Sequence, residues 1–152
     1  MKLTAKEQYG LRALAELAQC YGSGPVSLRE IAQVQGLSLP YLEQVALALR
    51  NAGLVISKRG AAGGYALAYP PEEITVGDAI RALDGGIKLL PCVDGRGRIS
   101  CARTSACSRR DIWVALQSHL EMLLERVTLA DLTQGTCEMM GEGNNYGSAG
   151  TA

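Results

Sequence analysis

The most restrictive feature of this chain is a pair of helical stretches joined by a very short turn and followed at once by a glycine-rich hairpin. "SLREIAQVQG" starts at Ser27 with Glu30 three residues on, which is a capping box, and Gly36 is a natural helix end. "LSLPYLEQVALALRNAG" then begins a second helix. Ser38 lies near its cap and Pro40 in its first turn, where a missing N–H costs little. Leu42, Val45, Ala46 and Leu49 form an inner stripe, and Gly53 ends the helix. In "LVISKRGAAGGYALA", Leu54–Ile56 and Tyr65–Leu67 read as short strands around a loop tipped by Lys58 and Arg59. A helix starting at the Thr4 cap precedes all this, with Leu11, Leu14, Ala15, Ala18 and Tyr21 as its spaced apolar positions. Three short helices and a hairpin, with a glycine-containing turn between Gln35 and Leu39, make a winged helix-turn-helix.

The remaining segments extend that domain. "ITVGDAIRALDGG" is a short helix capped by Thr75. A longer helix is expected from about Ser108 to Val127, where Leu116, Leu120, Leu123 and Val127 step by four, three and four as a coiled-coil-like seam. "TLADL" adds a turn capped by Thr128, and the Gly-, Asn- and Ser-rich tail beyond Gly135 is expected to be disordered. The expected division is a winged helix-turn-helix (1–69), a linking helix (70–90), a cysteine loop (91–107), a dimerisation helix with its terminal turn (108–134) and the tail (135–152). The fold class is mainly α with a small β-hairpin wing.

Charge is balanced overall at 15 basic and 15 acidic residues, but unevenly placed. Residues 1–69 carry seven basic against four acidic side chains, and the remainder eight against eleven. A mildly basic front half is compatible with nucleic acid and decides nothing alone. No apolar run approaches the ~20 residues of a membrane span. The charged start "MKLTAKEQYG" lacks a signal-peptide core, so a cytoplasmic location without membrane association is expected. In a reduced compartment five cysteines do not suggest a disulfide framework; a cluster of them suggests metal or redox chemistry.

Three of the five are grouped as Cys92–x8–Cys101–x5–Cys107, with glycines at 95 and 97 and arginines at 96, 98, 103, 109 and 110. Thiolates ligate iron–sulfur clusters, and flanking cations offset their charge. The same thiols also suit a structural zinc site, a metal-free redox switch, or no ligand at all. Cys20 reads as a small apolar residue near the end of the first helix, Cys137 falls in the tail, and His119 is a helix-face residue. No glycine-rich phosphate loop, paired acids or sequence-adjacent Cys–His pair supports catalysis, so an enzyme is not expected. On the second helix of the helix-turn-helix, Ser38, Pro40, Tyr41, Glu43 and Gln44 are candidates to face DNA. Gln pairs bidentately with adenine and Glu accepts from cytosine. Lys58 and Arg59 suit phosphates or a narrow minor groove, Gly63 and Gly64 allow close backbone approach, and Lys2, Lys6 and Arg50 are phosphate neighbours.

The segments "MKLTAKEQYGLRAL", "LSLPYLEQVALALRNAGLV", "KRGAAGGYALA" and "ITVGDAIRALDG" resemble the bacterial iron–sulfur winged-helix transcription regulators of the IscR, NsrR and RirA type, nearest to the IscR-type members. The likeness runs from Met1 to about Leu132. It implies a homodimeric DNA-binding regulator, often a repressor, acting on a palindromic double-stranded operator. It also implies a cluster in each subunit, with 2Fe–2S favoured over 4Fe–4S, on Cys92, Cys101 and Cys107. Base contacts are implied at Glu43 and Gln44, and a minor-groove contact at Arg59. The first cysteine gap is a few residues longer than in IscR-type members. Those relatives place a histidine ligand three residues past the third cysteine, where this chain has Arg110, a side chain with no lone pair to donate. Glu7, by likeness to the nitric-oxide-sensing branch, ranks first as replacement, then Asp111, then a small external ligand.

Overall fold

The computed structural model describes residues 2–90, 93 and 107–134. Its elements are α1 (Ala5–Gln19), α2 (Leu28–Gln35), α3 (Leu39–Asn51), β1 (Val55–Lys58), β2 (Gly64–Leu67), α4 (Val76–Asp84), α5 (Arg110–Arg126) and α6 (Leu129–Gln134). This is the expected mainly helical winged helix-turn-helix with a long helix appended.

Helix starts are set by local chemistry. Thr4/Glu7, Ser27/Glu30, Thr75/Asp78 and Thr128/Asp131 each exchange side-chain and backbone hydrogen bonds over three residues. Such a cap stabilises a helix by about 1 kcal/mol. Burial alone raises the Asp78 carboxyl. The Thr75 amide and hydroxyl and the Arg81 guanidinium outweigh it and hold that group below the usual carboxylate range. The Thr128 amide and hydroxyl lower Asp131 in the same direction. Two starts differ from this pattern. Ser38 caps α3 through its backbone alone, with Pro40 in the first turn, as its position promised. α5 begins at Arg110 rather than Ser108, after a turn at residues 108–109, and Arg109 at its start makes no side-chain cap. Seventeen residues make α5 about 25 Å long.

One core unites the winged helix-turn-helix with α4 and α6. Leu14, Leu17, Ile31, Leu42, Val45, Leu49, Val55, Leu67, Ile74 and Leu129 are all buried in it. The inner face of α1 is Gly10, Ala13, Leu14, Leu17 and Ala18; Tyr21 lies beyond the helix and is exposed, so the expected stripe is shifted. Gly10 marks where α1 meets α4, since a Cβ there would lie 2.3 Å from Leu83 Cδ1. Lys6 Nζ donates to the Leu83 carbonyl at 2.5 Å, which ties that lysine to the α4 terminus.

The hairpin pairs Val55 with Leu67 and Lys58 with Gly64 in antiparallel register. Val26 joins it as a third short rung, exchanging two 2.8 Å backbone bonds with Tyr65. A second isolated bridge, Thr75 with Thr128, binds the start of α4 to the α5–α6 junction through Val76 N–H to Val127 (2.8 Å) and Leu129 N–H to Ile74 (2.9 Å). Arg81 adds contacts to Asp78 (2.7 Å) and, on α5, to Glu125 (2.8 Å). As a half-exposed pair it adds little stability, and it sets the register of α4 against α5. Val76, Ile80 and Ile87 form a smaller cluster with Leu3, Leu11, Leu120, Leu124 and Val127. The C-terminal end of α5 is thus tied to the core, whereas Ile112, Trp113, Val114 and Leu116 in its first two turns are exposed. The tail from 135 lies outside the described residues.

Candidate nucleic-acid interface and cysteine centre

Inward stacking of Leu42, Val45, Ala46 and Leu49 leaves Glu43 and Gln44 on the outer face of α3. Both are exposed, and neither side chain makes a hydrogen bond or ion pair with another described residue. Ser38 and Pro40 are exposed at the start of the same helix. Tyr41 is half-buried, its ring edge-on to Tyr9 with centroids 5.3 Å apart, so its ring packs the helix-turn-helix. Lys58 and Arg59 are exposed at the wing.

The wing glycines divide by cause. At Gly60 an added Cβ would meet nothing within 4 Å. At Gly63 it would lie 2.4 Å from the Lys58 carbonyl oxygen, and at Gly64, with φ +156°, 2.4 Å from that of Val26. The close approach that glycine permits at 63 and 64 is therefore already made to the chain's own backbone, which gives these residues a structural cause apart from DNA. Arg59→Ala is expected to weaken operator binding several-fold and to flatten its dependence on salt, as loss of one phosphate contact does. Equilibrium binding across a salt series checks this, and unchanged affinity and slope would remove Arg59 from the interface.

Only the last of the three grouped cysteines lies among the described residues. Cys107 is a free, exposed thiol whose carbonyl accepts the Arg110 N–H at 3.3 Å in the turn entering α5. Cys92 and Cys101 lie outside the described residues, as does Cys137. Asp111 is exposed in the first turn of α5. Glu7 is only 6% exposed, and its Oε2 accepts the Thr4 N–H at 2.7 Å. That capping role, readable from T-x-x-E, escaped the sequence reading. Arg110 Nε is buried without a hydrogen-bond partner among the described residues. His119 is exposed, with Nδ1 2.7 Å from the Ala115 carbonyl oxygen, and Cys20 is half-buried. Among the described residues no three His, Cys, Asp or Glu side chains group as a metal site.

The seam splits. Leu120 and Val127 pack against the cluster with α4, whereas Leu116 and Leu123 are 46% and 44% exposed. Ile112, four residues before Leu116, continues the exposed stripe. Among the described residues no helix is long and apolar enough to cross a membrane.

A helix-turn-helix with a free outer face, a cationic wing and an appended long helix defines a winged-helix transcription regulator. The comparisons agree. The model of the Rrf2 family, described as iron-dependent transcriptional regulators, matches residues 3–135, and this chain belongs to that family. It is 41% identical to the transcriptional regulator CymR of Bacillus subtilis over 136 residues, 90% of this chain and 92% of that one. The solved structure of that relative, described as the global cysteine regulator, superposes with a TM-score of 0.71 at 39% identity, covering 90% and 99% of the two chains. IscR of Aliivibrio salmonicida is 39% identical over 87% of this chain and 77% of its own. The T. potens IscR structure gives a TM-score of 0.72 at 42% identity, with 94% of each chain covered. Relatives that bear the names of transcriptional regulators point away from an enzyme.

Proposed function

We propose that the protein is a homodimeric repressor that binds a palindromic double-stranded operator, with an affinity set by an iron–sulfur cluster on Cys92, Cys101 and Cys107. The observation that carries the DNA-binding part is the solvated Glu43–Gln44 face of α3, whose side chains have no partner among the described residues, in a domain whose wing exposes Lys58 and Arg59. Glu43 and Gln44 read base edges in the major groove, Ser38, Pro40 and Tyr41 position the helix start, and the wing residues Lys58 and Arg59 hold phosphates or enter the minor groove. Gly63 and Gly64 shape that wing.

For the cluster, the support is the donor chemistry. Three thiols within one short segment suit iron, and the buried Arg110 Nε gives an anionic sulfur centre a complementary cation. Such a cluster, 2Fe–2S in preference to 4Fe–4S, supplies reversible redox and assembly chemistry when bound. Asp111 suits the fourth position better than Glu7, because it is exposed close to Cys107 whereas Glu7 Oε2 is occupied by Thr4. The cysteine loop joins α4 to α5. A change within it acts on the free N-terminal half of α5, while the Thr75–Thr128 bridge holds the other end. Coupling follows only if the two states differ in operator affinity.

Glu43→Ala tests the reading of bases. The variant is expected to relax base preference more than it lowers affinity, because a carboxylate rejects wrong bases by repulsion as well as accepting from cytosine. Selection from a random duplex pool checks it. An identical palindromic consensus for both proteins would sink Glu43 as a reader, and no consensus for the wild type would sink DNA reading altogether.

A second reading is a metal-free thiol switch. It is favoured by the exposed Cys107 thiol and by the likeness to the regulator described as a global cysteine regulator. Operator affinity that responds to oxidant in rigorously iron-free protein, and is restored by a thiol reductant, would select it.

A further inference from the structure

Resting on the proposal that α3 reads DNA, we infer that Leu47 is a further specificity-determining residue, which seats against the C5-methyl of a thymine in the major groove. Leu47 is 46% exposed, whereas every other large apolar side chain of α3 is buried or half-buried. Single exposed leucines are ordinary on protein surfaces, so what singles this one out is where it stands. At about 100° per residue, Leu47 lies between Glu43 and Gln44 around the helix, about 40° from the first and about 60° from the second. The buried stripe of Leu42, Val45, Ala46 and Leu49 is on the opposite side. Leu47 therefore occupies the midline of the face proposed to enter the groove, and Arg50 and Asn51, both exposed, close that face at its far end.

The surroundings select the occupant. The core of a protein–protein contact is depleted of charge, yet the exposed neighbours of Leu47 on α3 are Glu43, Gln44, Arg50 and Asn51. One apolar side chain set among hydrogen-bonding ones matches a duplex instead. In the major groove the groups that distinguish base pairs are donors and acceptors, apart from the thymine methyl. Leucine has no donor or acceptor to offer, so that methyl is the group it selects. Leu47 lies about 6 Å along the axis from Glu43. That is roughly two base-pair steps of about 3.4 Å, so Leu47 reaches a base pair beside those of Glu43 and Gln44. Arg50, three residues on, is placed for a phosphate at the groove edge.

The test uses the full-length chain as wild type, Leu47→Ala and Leu47→Gln, with the tightest-binding duplex that the wild type selects from a random pool. Each thymine of that duplex is replaced in turn, in both half-sites, by deoxyuridine, which lacks only the C5-methyl. The expected result is one thymine whose replacement weakens wild-type binding about fourfold per half-site, the worth of one buried methyl. Neither variant should respond at that position, because alanine is too short to reach the methyl and glutamine is polar. Both variants should still prefer the same bases elsewhere in the duplex and, since Leu47 is exposed, melt close to wild type. A wild type indifferent to every deoxyuridine overturns this inference, whatever the variants do. Equal sensitivity of all three proteins at the same thymine also overturns it, and in both cases base reading by Glu43 and Gln44 stands. A wild type that selects no consensus overturns DNA reading, and this inference with it.

Discussion

A chain carrying Leu116→Asp together with Leu123→Asp is expected to be monomeric by light scattering and to bind a palindromic operator at least about a hundredfold more weakly. Linking two half-site readers typically contributes 10²–10⁴ in affinity through effective concentration alone, and a monomer forfeits it. The two leucines are chosen because they stand on the solvent side of α5 and Ile112, 62% exposed, extends their stripe. Their neighbours Leu120 and Val127 already pack against Val76, Ile80 and Ile87 within the chain. An aspartate at Leu120 would therefore damage the chain's own packing and confuse folding with assembly, whereas exposed positions tolerate it in a monomer. An isologous two-fold contact places the same stripe on both copies, so each substitution brings two carboxylates, and the double variant four, into a contact expected to be apolar. A double variant that remains a dimer of unchanged affinity would put the interface elsewhere on the molecule.

Gly64→Ala is the second large effect. At φ +156° an L side chain is strained, and its Cβ would sit 2.4 Å from the Val26 carbonyl oxygen and 3.0 Å from the Ser27 nitrogen, both backbone. Neither neighbour is free to yield, because Val26 is held to Tyr65 by two 2.8 Å bonds and Ser27 is the cap of α2. The substitution should cost about 3 kcal/mol, combining backbone strain with forced separation of the rung. For a chain of this size that lowers the melting temperature by roughly 10 °C. Calorimetry checks it, and Gly60→Ala is the informative comparison, since it shares the strain of a positive φ, +121°, but no atom lies within 4 Å of the added Cβ, so the difference between the two reads the Val26 clash. Equal melting temperatures for the two variants would mean that the Val26 rung opens at no cost.

These positions also show what the sequence could reveal. Signals confined to three or four residues were legible: the Ser27/Glu30 box, the Thr75 and Thr128 caps, Pro40 in a first turn, and the alternation of exposed and buried positions on α3. Pairings between distant segments were not. The Val26–Tyr65 rung and the Thr75–Thr128 bridge join stretches with no shared local pattern. Gly10 looks like a helix weakness until Leu83 is placed against it. Gly63 and Gly64 looked like ligand-facing glycines for the same reason, their true neighbours being remote or on the other limb of the hairpin. The seam on α5 was legible as periodicity, but a stripe one residue wide cannot say which flank turns toward α4. Glu7 is the converse case. Its short-range pattern was available, and likeness to a different branch drew attention to it as a ligand.

The visible absorption spectrum of the anaerobically purified wild-type chain, recorded beside Cys107→Ser, is the most direct measurement of the central claim. A thiolate-bound iron–sulfur centre predicts sulfur-to-iron charge-transfer bands in the wild type, with matching iron and acid-labile sulfide, that are lost or shifted in Cys107→Ser. A colourless wild type with reactive thiols, no iron, and a spectrum identical to that of Cys107→Ser would contradict it.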